Sequence, residues 1–170
     1  MLRTCVRMVL TETNMVAARH TVDRAVYGTV SVIAVIAGAS HGQESAGSLL
    51  VFAVVSSAVV WGVHVYSSVL ADTGPAGLAW SPALRKALHD ERGVLGGVVI
   101  PLAVLSLGAL NLVEDQRAIN AAMWSGVVVL FVTPFVWLQP RGAGWAGCLL
   151  ASVAGGLLGL VLIWFKVVLH

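Results

Sequence analysis

The sequence predicts an all-α integral membrane bundle of five transmembrane helices, with a short cytoplasmic amphipathic helix between the second and third. Three observations predict it. The chain of 170 residues is 58% hydrophobic and only 11% charged, against about 25% charged in an ordinary soluble domain. Its apolar residues gather in five windows near the length that crosses a bilayer, about 20 residues at about 1.5 Å each. The Lys and Arg residues between those windows alternate in density from one connection to the next. A small domain keeps much of its surface in water, so it cannot hide this much apolar side chain in a core.

Residues 1–24 read as a cytoplasmic N-terminal tail, and 25–170 as a single transmembrane helical domain. The tail, "MLRTCVRMVLTETNMVAARHTVDR", lacks the pattern of a secretory signal: its apolar stretch is short and broken by Arg7, with no cleavage site after it. The first span runs from Ala25 to Ser40 and is the shortest; Arg24 can reach the interface by snorkelling. The second runs from Ala46 to Ala71 and holds no Asp, Glu, Lys or Arg. Next comes "SPALRKALHDER". Ser81 is its expected N-cap and Pro82 its first helical position. Leu84, Ala87, Leu88 and Glu91 fall on one stripe of this short helix, and Arg85, His89 and Arg92 on another. The third, fourth and fifth spans run from Gly93 to Val113, Ala118 to Leu138 and Trp145 to Phe165.

Charge sets the expected orientation. Arg3, Arg7, Arg19 and Arg24 lie in the tail, Arg85, Lys86 and Arg92 follow the second span, and Arg141 follows the fourth. The other connections carry Arg117 and Lys166 beside Glu44, Glu114 and Asp115. Basic residues collect on the cytoplasmic side of short loops, so the N-terminus is expected inside and His170 outside. Trp80, Trp137, Trp145 and Trp164 lie near span ends, where amphipathic rings favour the interface.

Polar residues inside the spans are the candidate site. Ser57, Trp61, His64 and Ser68 share one stripe of the second span, expected to face the bundle because polar groups avoid lipid. Tyr66 points nearly the opposite way, as an interfacial anchor. His64 lies about 10 Å of helix inward from Ala71. Arg24, Tyr27, His64 and Glu91 are expected to meet at the cytoplasmic end. Two readings stay open for that cluster: a hydrogen-bonded lock between helices, or a proton- or ligand-handling site centred on His64.

Backbone features complete the reading. Pro101 and Pro134 cannot donate to the carbonyls of Gly97 and Leu130, so each is expected to kink its span or free an acceptor, with Ser106 and Thr133 at hand to help. Gly144, Cys148, Ser152, Gly155 and Gly159 form a small-residue packing seam on the fifth span. An Asn111–Asn120 contact is expected to be structural. Cys5 and Cys148 have nothing to pair with by sequence context, and no spacing suggests a metal site.

"RAVYGT" and "WGVHVY" resemble stretches of small multi-pass integral membrane proteins of unknown function, a resemblance that implies no activity. The Ala, Val, Gly and Arg bias points to a GC-rich bacterial genome and so to a bacterial inner membrane. The net charge of +2 without an aromatic-basic patch excludes nucleic acid as a partner. No phosphate loop, nucleophile–base arrangement or haem-ligand pair is readable, so no cofactor, metal or catalytic residue is assigned. The expected role is a binding or assembly subunit, with membrane lipid and a protein partner or second copy as its company. The alternative is a small transporter or channel using His64. A membrane-embedded enzyme resting on His64 and Glu91 is third.

Overall fold

The computed structural model describes residues 22–39, 45–73, 77, 79–139 and 144–169. The tail through residue 21, including Cys5, Arg3, Arg7 and Arg19, lies outside the described residues, as do Ser40, Glu44, Arg141 and His170. The described chain is all α: α1 (Val22–Ala39), α2 (Ala46–Asp72), α3 (Trp80–Asp90), α4 (Arg92–Ala109), α5 (Asp115–Leu138) and α6 (Trp145–Leu169). Five stretches are long and apolar enough to cross a membrane, with α3 and α4 counted as one.

Local chemistry explains where the helices stop and start. The Ser45 side chain accepts from the Ser48 N–H at the head of α2, and Thr73 donates its hydroxyl to Val69 O at the tail. The third span ends at Ala109, short of the expected Val113. Leu112 N–H bonds Leu107 O, and Asn111 N–H bonds Gly108 O. Asn111 itself takes a left-handed conformation, φ 56°. That is a Schellman stop with asparagine in the position usually held by glycine. Asn111 is therefore a helix terminator, and no hydrogen bond joins it to Asn120. The next helix starts earlier than expected, at Asp115, whose carboxylate suits the positive end of the helix dipole.

The short helix departs from its expected register. It begins at Trp80 behind Ala79, without a side-chain cap. Ser81 is thus not the cap, and Pro82 is third in the helix, where its missing N–H has no intrahelical partner to lose. The buried stripe is Ala83, Ala87 and Glu91, while Leu84 and Leu88 remain 36% and 38% exposed. Small residues win the inner positions because α3 lies close on α2, packing against Val65, Val69 and Trp61.

The main core joins Val32, Ile36 and Ala37 of α1 to Leu49 and Ala53 of α2, Val98 and Leu105 of α4, and Ile119, Ala122 and Met123 of α5. The backbones of α1 and α4 approach closely. A Cβ added at Gly28 would overlap Val94 O, and one at Gly97 would overlap Ala25 O. Glycine at both places lets the two backbones touch. No pattern within either helix announces this crossing.

The α6 seam packs on α5. Cys148 and Ser152 are buried. A Cβ on Gly155 would strike Leu130 O, and one on Gly159 would sit 3.0 Å from Val127 Cγ2. Gly144 is outside the seam, with open space where its Cβ would be. The two glycines should therefore respond unequally. Gly155→Ala meets backbone, which cannot yield, and is expected to cost roughly 2 kcal/mol. Gly159→Ala meets Val127 Cγ2 at 3.0 Å and Val127 Cα at 3.2 Å, contacts relieved by a shift of a few tenths of an ångström, and should cost less than half of that. Thermal unfolding of the two variants checks the order, and equal losses would show that the seam is more compliant than this packing implies.

Candidate functional site

The polar cluster is assembled by α1, α2 and the α3–α4 junction. Arg24 sits near the start of α1, Ser68 in the last turns of α2, and Glu91 at the single residue joining α3 to α4. Arg24 Nη2 lies 2.9 Å from Glu91 Oε1, and Arg24 Nη1 donates to Asp90 O at 2.6 Å. Ser68 Oγ donates to the same Glu91 Oε1 at 2.6 Å. Glu91 is 1% exposed, while Arg24 keeps 23% of its side chain accessible. A buried carboxylate needs this charge and these donors, since removal from water alone would be strongly unfavourable.

His64 and Tyr27 meet differently from expectation. Their rings stack edge to face, with centroids 4.8 Å apart at 75°. The contact is aromatic, and no hydrogen bond to the His64 ring is formed among the described residues. Glu91 turns instead to Arg24 and Ser68, a charged and a neutral donor. Arg24, Tyr27, His64 and Glu91 thus lie in two adjoining contacts, an ion pair and a ring pair, both bridging α1 to its neighbours.

The α2 stripe faces inward. Ser57 is buried, and Trp61, His64 and Ser68 are half-buried, whereas Tyr66 is exposed. Trp61 leans on the Val65, Val69, Ala83 and Ala87 cluster. Two buried atoms here, Trp61 Nε1 and Glu91 Oε2, have no hydrogen-bond partner among the described residues; Ser152 Oγ on α6 is a third.

Pro101 and Pro134 leave Gly97 O and Leu130 O without an intrahelical donor, and neither Ser106 nor Thr133 answers them. Thr133 and Ser106 bond their own helix, to Val129 O at 2.6 Å and Ala103 O at 2.7 Å. The acceptor freed by Pro101 is met by Thr29, whose Oγ1 lies 3.0 Å from Gly97 O and 2.9 Å from Ala25 O. Leu130 O, freed by Pro134, lies under Gly155. Both α4 and α5 run on as helix through their prolines. Thr29 was missed in the sequence because a lone threonine after "RAVYG" carries no pattern; only the proximity of Gly97 gives it a role. Thr29→Val keeps the shape and removes the donor, so a loss of about 1 kcal/mol is expected in unfolding measurements. A Pro101→Ala background, which restores the intrahelical bond, should shrink that loss.

No protein-family model, curated protein or solved structure matches this chain.

Proposed function

We propose that the chain is a multi-pass protein of a bacterial inner membrane, and that its role is binding or assembly. The observation that carries this reading is the use made of the polar groups. Arg24, Ser68 and Glu91 are spent on one another, tying α1, α2 and the α3–α4 junction together, and an open apolar recess lies elsewhere. It is an apolar groove of about 320 Å³ between α5 and α6, lined by Trp124, Phe131, Val153, Leu157 and Leu160 among others. A protein partner or a second copy is the proposed occupant. In the proposed orientation the N-terminus and α3, an amphipathic helix, are cytoplasmic and the C-terminus is outside. Reporter fusions at the two ends test the orientation, and the same side for both would refute it. Affinity purification of the full chain tests the role. A stoichiometric companion, or a dimer, that is lost in Leu157→Trp supports it. A monomer that drives solute or proton flux in liposomes counts against it.

A second reading is favoured by the unpartnered Glu91 Oε2 and Trp61 Nε1 near His64. In it the chain is a small transporter or channel, with His64 handling a proton or ligand. His64→Gln then keeps the fold and abolishes a pH-dependent flux. If the ring contact with Tyr27 is purely structural, Gln and Ala at position 64 should both cause modest destabilisation without any transport phenotype.

A further inference from the structure

The outward face of α3 carries charges that the bundle does not use. Its inner face is spent on α2 through Ala83 and Ala87. Lys86 is held by Asp72 at 2.8 Å, and His89 lies 3.5 Å from Asp90. Arg85 and Arg92 are both exposed and have no ion-pair or hydrogen-bond partner among the described residues. Arg92 opens α4, where the helix dipole disfavours a cation, so local helix stability does not account for it. Arg85 borders a shallow recess of about 530 Å³ that also includes Ser81, Lys86 and His89.

The position of the arginines is informative. Arg85 lies on α3 beside Leu84 and Leu88, which are left partly exposed, and Arg92 opens α4 one residue past the Glu91 junction. Trp80, at the head of α3, is exposed as well. An apolar flank beside unpaired guanidinium groups suits a lipid, whose acyl chains adjoin its phosphate. Guanidinium also fits a phosphodiester in a planar, two-point way that ammonium does not. An acidic protein segment would satisfy the charge but would leave the Leu84–Leu88 flank without a reason.

We propose that Arg85 and Arg92 form a binding site for the phosphate of an anionic glycerophospholipid, seated at the junction of α3 and α4. The inference rests on the membrane-spanning reading above. Near a charged leaflet each basic residue contributes roughly a fivefold gain in affinity.

The test uses the full chain purified in a neutral detergent, with phosphatidylglycerol or phosphatidylcholine added to the micelles. Native mass spectrometry reads the lipid retained, and thermal unfolding reads the stabilisation. Wild type should retain phosphatidylglycerol over phosphatidylcholine. Arg85→Gln with Arg92→Gln should cut that preference by roughly twenty-five-fold, while Arg117→Gln, exposed at the far end of the bundle and paired to Glu114, should leave it intact. An equal preference in the double variant overturns the proposal. So does full competition by inorganic phosphate at matched concentration, which would mark a site for a free anion. Loss of a co-purifying acidic protein in the double variant, with lipid preference unchanged, overturns it too. Resistance of the chain to alkaline extraction from membranes reports insertion separately, so failure of the spanning reading is distinguishable from failure of the lipid site.

Discussion

Arg24→Ala should be the most damaging side-chain truncation in the polar cluster. It removes the charge partner of a carboxylate that is 1% exposed and leaves Ser68 as its remaining donor. It also removes the donor to Asp90 O, which ties α1 to the end of α3. Breaking a buried pair from one side typically costs 3–5 kcal/mol. Because Arg24 retains 23% exposure, a loss of roughly 3 kcal/mol is the expected value. Arg24→Lys should recover part of it, since an ammonium can reach one of the two acceptors but does not reproduce the fork. Replacing both partners, Arg24→Leu with Glu91→Leu, should be milder than Arg24→Ala alone, because no buried charge is then left unpaired. Thermal unfolding in detergent orders the variants. If the double replacement proves worse than the single, the pair contributes net attraction well beyond the relief of desolvation.

Gly97→Ala should be nearly as severe, for a steric reason. The added methyl meets Ala25 O and lies 2.7 Å from Thr29 Oγ1. Backbone on a packed helix cannot turn away, so α1 must lift off α4. The shift would also stretch the Thr29 bond to Gly97 O. Overpacking of this kind costs roughly 1–3 kcal/mol, and the lost hydrogen bond puts the expectation near roughly 3 kcal/mol. Gly96→Ala supplies the internal control. A Cβ there meets nothing within 4 Å, and alanine is the better helix former by up to about 1 kcal/mol. Opposite signs at adjacent residues would establish which face of α4 meets α1. A similar loss at both would mean that the crossing is placed differently.

The legible part of the molecule was the part written in composition and period. Five apolar windows became five helices long enough to span a bilayer, because desolvation acts on every residue of such a window and needs no knowledge of its neighbours. The inward turn of Ser57, Trp61, His64 and Ser68 was readable for the same reason, since helical period alone puts them on one stripe. Helix ends were read less well. The left-handed stop at Asn111 depends on backbone geometry that a polar residue in a loop does not announce.

Sequence alone determined which residues belong in helices, which helix faces are polar, and where proline strips a carbonyl of its donor. Tertiary structure decided who answers those groups. It set Arg24 and Ser68 rather than His64 on Glu91, Thr29 rather than Ser106 opposite Gly97, and Ala83 rather than Leu84 in the buried stripe of α3. It also set Gly28 and Gly97 in a backbone-to-backbone crossing of α1 and α4, besides the small-residue seam of α6. The physical reason is common to all four. Period and hydropathy act along one helix, whereas hydrogen-bond partners and backbone contacts depend on the distance and rotation between two helices, which no single segment encodes.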